Sequence, residues 1–193
     1  FENDKIYKNK NKIEEILKLS CLWFQENLNH SSANICNEYL IKRKLTKETI
    51  QKFKLGYSYN KDISLYKYLK SKFFTDDEIL ESNVAKLDKN KKIRDFFYKR
   101  LIFPICNTQG KIVGFGGRSL DGSNPKYINS PESKFFQKRN LLYNLNIAKE
   151  FARKKNNLLI CEGYMDIISL NQNGINSVVA PLGTALTEEQ LQI

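Results

Sequence analysis

The chain has 193 residues and a mass of 22.5 kDa, with 41% hydrophobic and 27% charged residues and a formal net charge of +11. That length and apolar fraction suffice for the core of one large or two small domains and exclude a disordered chain. No apolar run of membrane length and no secretory leader pattern is visible, so the expectation is an intracellular protein with no membrane partner. The charge is unevenly spread: all 32 Lys and Arg lie at or before Lys155 with 17 of the 21 acids, while 156–193 holds four acids and no base. A basic body joined to an acidic end suits a protein that holds a polyanion with one part and a metal with the other; a merely soluble basic protein is the plainer alternative. Cys21, Cys36, Cys106 and Cys161 form no CxxC pair and His30 is the only histidine, which argues against a structural zinc site and for reduced, partly buried thiols.

In chain order, residues 1–10 read as a polar lead. Asn11 with Glu14 then makes a capping pair for a first helix that carries Ile13, Ile16, Leu17, Phe24 and Leu28 on one face. Ser31 or Ser32 can cap a second helix through Tyr39, Leu40 and Ile41, and Thr46 can cap a third through Ile50 and Phe53. Asp62 is placed to cap 63–70, and Thr75 with Glu78 forms a capping box for a short helix to Glu81.

From Ile93 the pattern turns to strands. FFYKRLIFPICN and KIVGFGGRSL, joined by Thr108, Gln109 and Gly110, read as a hairpin in which Pro104 points to an edge or a bulge. Gly114, Gly116 and Gly117 lack the spacing and the Lys of a phosphate loop, so they are expected to let another chain approach the backbone closely. NPKYINSPESKFFQKRNLLYNL mixes turn formers with basic and aromatic residues, and 141–155 returns to a helical pattern.

The chain is organised around 158–184, LLICEGYMDIISLNQNGINSVVAPLGT. The apolar run 158–161 predicts a strand buried on both faces of a parallel sheet; Gly163 breaks it, 166–173 is helical, Gly174 ends the helix and 177–180 resumes a strand. In such βαβ units ligands gather at the carboxyl ends of strands, which is where Glu162 and then Asp166 stand. Two carboxylates there suit Mg²⁺, a hard cation; alternatively Asp166 is a helix cap and Glu162 a solvated strand end.

EGYMDII followed by GINSVVAPLGTALT closely resembles the first half of the Toprim domain of bacterial-type DnaG DNA primases. EYLIKRKLTKETIQKFKLGYS, RLIFPICNTQGKIVGFGGRSL and PKYINSPESKFFQKRNLLYNL resemble the polymerase core of the same family, so the likeness runs from about Asn37 to the end. The resemblance implies an α+β fold: a mixed α/β amino-terminal subdomain over 1–155, then the beginning of an α/β Toprim domain, a Rossmann-like parallel sheet, over 156–193. It implies an enzyme, the core of a primase that makes short RNA primers on single-stranded DNA by metal-dependent nucleotidyl transfer. Glu162 would be a catalytic, metal-associated residue and general base, and Asp166 a ligand or a carboxylate behind the ligands of Mg²⁺ or Mn²⁺. Lys126, Tyr127 and Asn129 would form the incoming-nucleotide pocket, and Arg43, Arg118 and Lys138 would contact template or phosphate. Implied partners are single-stranded DNA, ribonucleoside triphosphates and, through a carboxyl-terminal domain not in this sequence, a replicative helicase; zinc would belong only to an upstream domain. Further metal-binding acids are expected beyond Ile193, so the chain reads as a fragment that is inactive alone. Another Toprim enzyme, a topoisomerase or nuclease, and a non-catalytic single-strand-binding module are the alternatives. Heavy use of Lys, Asn and Ile looks like an A+T-rich genome, and the location implied is a bacterial cytoplasm or a plastid-type organelle such as an apicoplast.

Overall fold

A computed structural model describes residues 2–183 and 185–193, with side chains from Asn9 onward; Phe1 of the polar lead and Thr184 of the organising stretch lie outside the described residues. Helix α1 (Glu2–Asn27) is followed by a 3-10 turn, Ser31–Ala33, and by helices α2 (Asn34–Lys42) and α3 (Lys47–Lys52). Strand β1 (Gly56–Tyr57), helices α4 (Leu65–Ser71) and α5 (Asp76–Glu81) and strands β2 (Ala85–Leu87) and β3 (Ile93–Asp95) come next. They lead to the long strands β4 (Arg100–Cys106) and β5 (Ile112–Ser119) and the short β6 (Tyr127–Asn129). Helix α6 (Leu145–Lys155), strand β7 (Leu159–Ile160), helix α7 (Tyr164–Gln172), strand β8 (Val178–Val179) and helix α8 (Glu188–Leu191) complete the order. The expected α+β class is what forms: an antiparallel sheet ordered β1-β4-β5-β6, a separate β2-β3 hairpin, and a parallel β7-β8 pair joined through α7.

Local chemistry explains most of the helix boundaries and two departures from the sequence expectation. Helix α1 starts at Glu2 instead of Asn11 because the Lys- and Glu-containing lead holds no Gly or Pro to stop it, and Asn11 and Glu14 then lie inside it. Its apolar face behaves as the periodicity predicts: Ile13, Ile16, Leu17, Phe24 and Leu28 are all buried. The 3-10 turn is capped by His30, whose Nδ1 accepts from the Ser32 amide at 3.3 Å, and α2 follows with no side-chain cap from Ser31 or Ser32. Thr46 caps α3, and Thr75–Glu78 and Thr187–Gln190 are reciprocal capping boxes. Helix α4 is capped by Ser64 and not Asp62; Asp95 of β3 adds both carboxylate oxygens, accepting from the Leu65 and Tyr66 amides at 2.9 and 2.8 Å. A cap supplied from so far along the chain leaves no local spacing signal. Burial pushes the Cys21 and Cys36 thiols up to about 12, as inert reduced thiols require.

Strand β4 is internal, yet it carries Pro104 without a lost ladder bond. The Arg100 amide donates to Ser58 Oγ at 2.9 Å and its carbonyl accepts from the Ser58 amide at 3.0 Å, so Arg100 and, by alternation, Pro104 face the β1 side. The last β1 partner is at Ile102, so Pro104 lies past its end, just before a register shift between Ile105 and Cys106.

The glycines of β5 admit the protein's own side chains and not another chain. A Cβ on Gly116 would lie 2.5 Å from the Tyr164 ring, one on Gly114 2.6 Å from Phe136, and one on Gly117 2.7 Å from Phe97. The Tyr164 ring stacks on Phe103 (centroids 4.7 Å apart, 7° between planes) and meets Tyr143 edge-on at 4.7 Å. The first turn of α7 is thereby sunk into the β4-β5 pair, and Ile167 and Ile168 share one core with Leu101, Phe103 and Ile105. Because the ring cannot retreat between Phe103 and Tyr143, Gly116→Ala is expected to destabilise the chain by about 1–3 kcal/mol, as overpacking does. A urea midpoint equal to wild type at unchanged slope would contradict it.

Strand β7 departs from expectation. Leu159 and Ile160 are 46% and 42% exposed, and the strand pairs only with β8, so it is not buried on both faces among the described residues. The apolar run reported strand propensity, which says nothing of how many neighbours a strand has. The buried member is β8, with Val178 and Val179 at 0% exposure, extended by a bridge between Ala180 and Tyr143.

Candidate functional site

Glu162 follows β7 in a bend, exposed, and Gly163 in extended backbone opens α7. Asp166 is not the cap of that helix, which has no side-chain cap; it sits in the first turn, where the positive helix end favours a carboxylate. Its Oδ2 lies 3.8 Å from the position a Gly163 Cβ would take, folded back over the glycine turn. Burial and then the Asp166 charge push the Cys161 thiol up. Both acids therefore stand on one turn, and among the described residues no group of three His, Cys, Asp or Glu that could hold a metal is formed. Two exposed carboxylates fit a hard divalent cation that keeps several waters and takes its other oxygens from bound phosphates.

A second group is basic and aromatic. Arg118 of β5 donates from Nη1 to the Tyr127 hydroxyl at 2.9 Å, and its guanidinium carbon lies 4.3 Å from the Tyr39 ring centre and 5.5 Å from that of Tyr127. Arg43, just past the end of α2, donates from Nε to the Tyr39 hydroxyl at 3.0 Å and lies 5.4 Å from the same ring. Neither guanidinium is in an ion pair among the described residues. Beside them an open groove of about 540 Å³ runs between α2 and the loop after β5, lined by Tyr39, Lys42, Arg118, Ser123 and Lys126.

Four buried or half-buried side chains hold these pieces in place. Tyr164 donates its hydroxyl to Asn129 Oδ1 at 2.6 Å, and Asn129 Nδ2 donates to the Leu182 carbonyl at 3.0 Å. Each of those Asn129 atoms keeps capacity for one further bond. Arg100, buried, donates from Nη1 to the carbonyls of Pro125 and Lys126 at 3.0 and 3.3 Å, fixing the loop on which the exposed Lys126 side chain stands. Gln172 closes the far end of α7: its Oε1 accepts from the Thr46 amide and its Nε2 donates to the Lys44 carbonyl, both at 2.9 Å.

Of the residues singled out from the sequence, Arg43, Arg118 and Tyr127 meet around Tyr39, and Asn129 meets the Glu162 turn through Tyr164. Lys138 stands on its own turn, clamped by α8 through Gln190 Nε2, which donates to the Lys138 and Leu141 carbonyls at 2.9 and 2.8 Å. Among the described residues it hydrogen-bonds with Glu132 and Gln190, and none of its bonds reaches the arginine pair. Tyr39, Arg100, Tyr164 and Gln172 were not singled out. Tyr39 had a local signal, standing one helical turn before Arg43; the others act across the fold and had none.

Residues 23–149 match the family described as the DNA primase catalytic core, N-terminal domain, and residues 156–193 match the Toprim domain. A DNA primase of Clostridium acetobutylicum is 43% identical over 98% of this chain and 32% of its own length. The chain thus spans about a third of the curated relatives it matches. The RNA polymerase domain of Mycobacterium tuberculosis primase DnaG is similar in structure with TM-score 0.88 at 27% identity, over 94% of this chain and 60% of that one. A DnaG primase catalytic domain bound to single-stranded DNA is similar with TM-score 0.84 at 31% identity, over 96% and 60%.

Proposed function

The chain belongs to the DnaG-type DNA primase catalytic core family, and we propose that it supplies the part of that core which holds single-stranded template and incoming ribonucleotide beside a divalent-metal site during RNA primer synthesis. One observation carries this reading. Helix α7 links the carboxylate turn to Asn129 through Tyr164 and to the turn after Arg43 through Gln172, so acidic and basic groups belong to one braced assembly.

In this reading residues 1–155 form the amino-terminal subdomain and 156–193 the first part of the Toprim domain. Arg43, Arg118 and Lys138 neutralise template phosphates, with no sequence information of their own. Lys126 takes the nucleotide's phosphates, Tyr127 stacks on its flat face, and Asn129 offers its remaining donor and acceptor to an edge. Glu162 and Asp166 hold Mg²⁺ or Mn²⁺, which when bound neutralises phosphate charge and stabilises attacking and leaving oxygens. Glu162 also stands ready to accept the proton of the attacking hydroxyl. Ribonucleoside triphosphates and a replicative helicase are partners of the whole enzyme in this reading. Among the described residues no helix is long and apolar enough to cross a membrane.

The test of the basic group is the salt dependence of binding to single-stranded DNA. Arg43→Ala, Arg118→Ala and Lys138→Ala are each expected to lower the slope of log K against log salt by about one unit. Slopes equal to wild type in all three variants would overturn the assignment.

A further inference from the structure

The two arginines assigned to template phosphates do not position themselves. A guanidinium on a flexible stem loses rotamer freedom when it contacts a ligand, and that loss weakens binding unless the side chain is already held. A carboxylate could hold it, but would also cancel the charge that phosphate needs. Here neither Arg43 nor Arg118 has a carboxylate partner among the described residues, and both lean on one neutral side chain.

We propose that Tyr39 is a positioning residue for nucleic-acid binding, its hydroxyl orienting Arg43 and its ring face supporting Arg118, so that two cations are preorganised with their charge unspent. This rests on the reading that both arginines contact phosphate. The hydroxyl accepts from Arg43 Nε at 3.0 Å, which leaves the outer guanidinium nitrogens available for a ligand. The ring lies 4.3 Å from the Arg118 guanidinium carbon, the distance of a cation resting on an aromatic face. On its other flank Arg118 donates to the Tyr127 hydroxyl at 2.9 Å, so the guanidinium is bounded by two tyrosines. Tyr39 is half-buried against the main core, which fixes its ring, and α2 places it one turn before Arg43 so that the contact forms within one helix.

The two functions of the ring separate by substitution. Tyr39→Phe keeps the face under Arg118 and removes the acceptor for Arg43; Tyr39→Leu removes both while retaining apolar bulk toward the core. Binding of a fluorescein-labelled 20-nucleotide oligodeoxythymidylate to this chain, followed by anisotropy over a series of NaCl concentrations, reads each effect. Tyr39→Phe should weaken binding about threefold, the cost of freeing one long side chain, and move the salt slope toward that of Arg43→Ala. That loss should vanish when Arg43 is already Ala, because the hydroxyl acts only through it. Tyr39→Leu should add a further loss of about threefold that vanishes in the Arg118→Ala background. A ring with a merely structural role would give losses that add to those of the arginine variants and leave the slope unchanged, and either result overturns the proposal. If Arg43→Ala and Arg118→Ala themselves bind like wild type, the phosphate assignment fails first and Tyr39 has nothing to position. Unfolding midpoints of the Phe and Leu variants near wild type confirm that binding, and not folding, is being measured.

Discussion

Glu162→Gln in a full-length primase is expected to reduce templated dinucleotide synthesis at least about a hundredfold, while binding of single-stranded DNA stays within about twofold of wild type. The substitution keeps the shape of the side chain and removes its charge. Because Glu162 is exposed and follows β7 in a bend, no buried partner is abandoned and stability should hardly change. The effect must then come from the metal. A divalent ion that neutralises a phosphoryl centre is worth several kcal/mol of barrier, and Mg²⁺ holds protein through only one or two carboxylates. Removing one of two acids on a turn where the described residues offer no third leaves Asp166 to hold the ion with waters and phosphates alone. Asp166→Asn should also lower activity, and it removes in addition a carboxylate that the positive helix end favours. Primer products resolved on gels, with anisotropy on the same preparations, check both halves. Activity above about a tenth of wild type for Glu162→Gln would remove Glu162 from the metal, and a parallel loss of DNA binding would make it a structural residue.

How far this arrangement can be read from the sequence depends on the range over which each signal acts. Thr75 with Glu78 is legible because a capping box closes within one turn, and it forms as expected. The face of α1 is legible because helical periodicity is local, although its start is not, since nothing between Glu2 and Asn11 breaks a helix. The cap of α4 falls two residues later than expected, on Ser64 and not Asp62, and the reinforcement that Asp95 brings from β3 has no local spacing signal. The glycines of GFGG show the same limit. Their spacing excludes a phosphate loop and announces a close approach, but only the fold reveals that Phe97, Phe136 and Tyr164 are what approaches. At the candidate site, the motif EGYMD points to Glu162 and Asp166, whereas the motif residue that does the bracing is Tyr164, whose role depends on Gly116, Phe103 and Asn129 being brought beneath it. Arg43 and Arg118 could be picked out as cations; that they share Tyr39 could not, because α2 and β5 meet only in the folded chain.

The largest stability loss is expected at Arg100, which sequence reading passes over as one more cation. It is 7% exposed and has no carboxylate ion partner among the described residues, an arrangement that would be costly for a guanidinium left dry and unbonded. Its Nη1 answers that cost by donating to the carbonyls of Gly117, Pro125 and Lys126 at 3.4, 3.0 and 3.3 Å, and its stem packs so closely that a Cβ on Gly117 would lie 3.1 Å from Arg100 Cδ. Burial holds the guanidinium below its ordinary pKa and Asp121 opposes that shift, so the side chain stays charged at any physiological pH. Arg100→Ala removes charge-assisted bonds worth about 1.5–3 kcal/mol and leaves a cavity beside Gly117, although the Lys126 carbonyl still accepts from the Ser119 amide at 2.8 Å. A total near 3 kcal/mol follows, which for a chain of this size lowers the melting temperature by about 6–12 °C. Arg100→Met, which refills the stem volume without restoring the bonds, should recover only part of that loss. The consequence should extend to the candidate site, because the freed loop carries Lys126: in full-length enzyme the nucleotide KM should rise more than kcat falls, the signature of lost binding over lost chemistry. A melting shift below about 2 °C for Arg100→Ala would mean that the loop is held by something other than this guanidinium, and an unchanged KM would mean that Lys126 does not need the loop held at all.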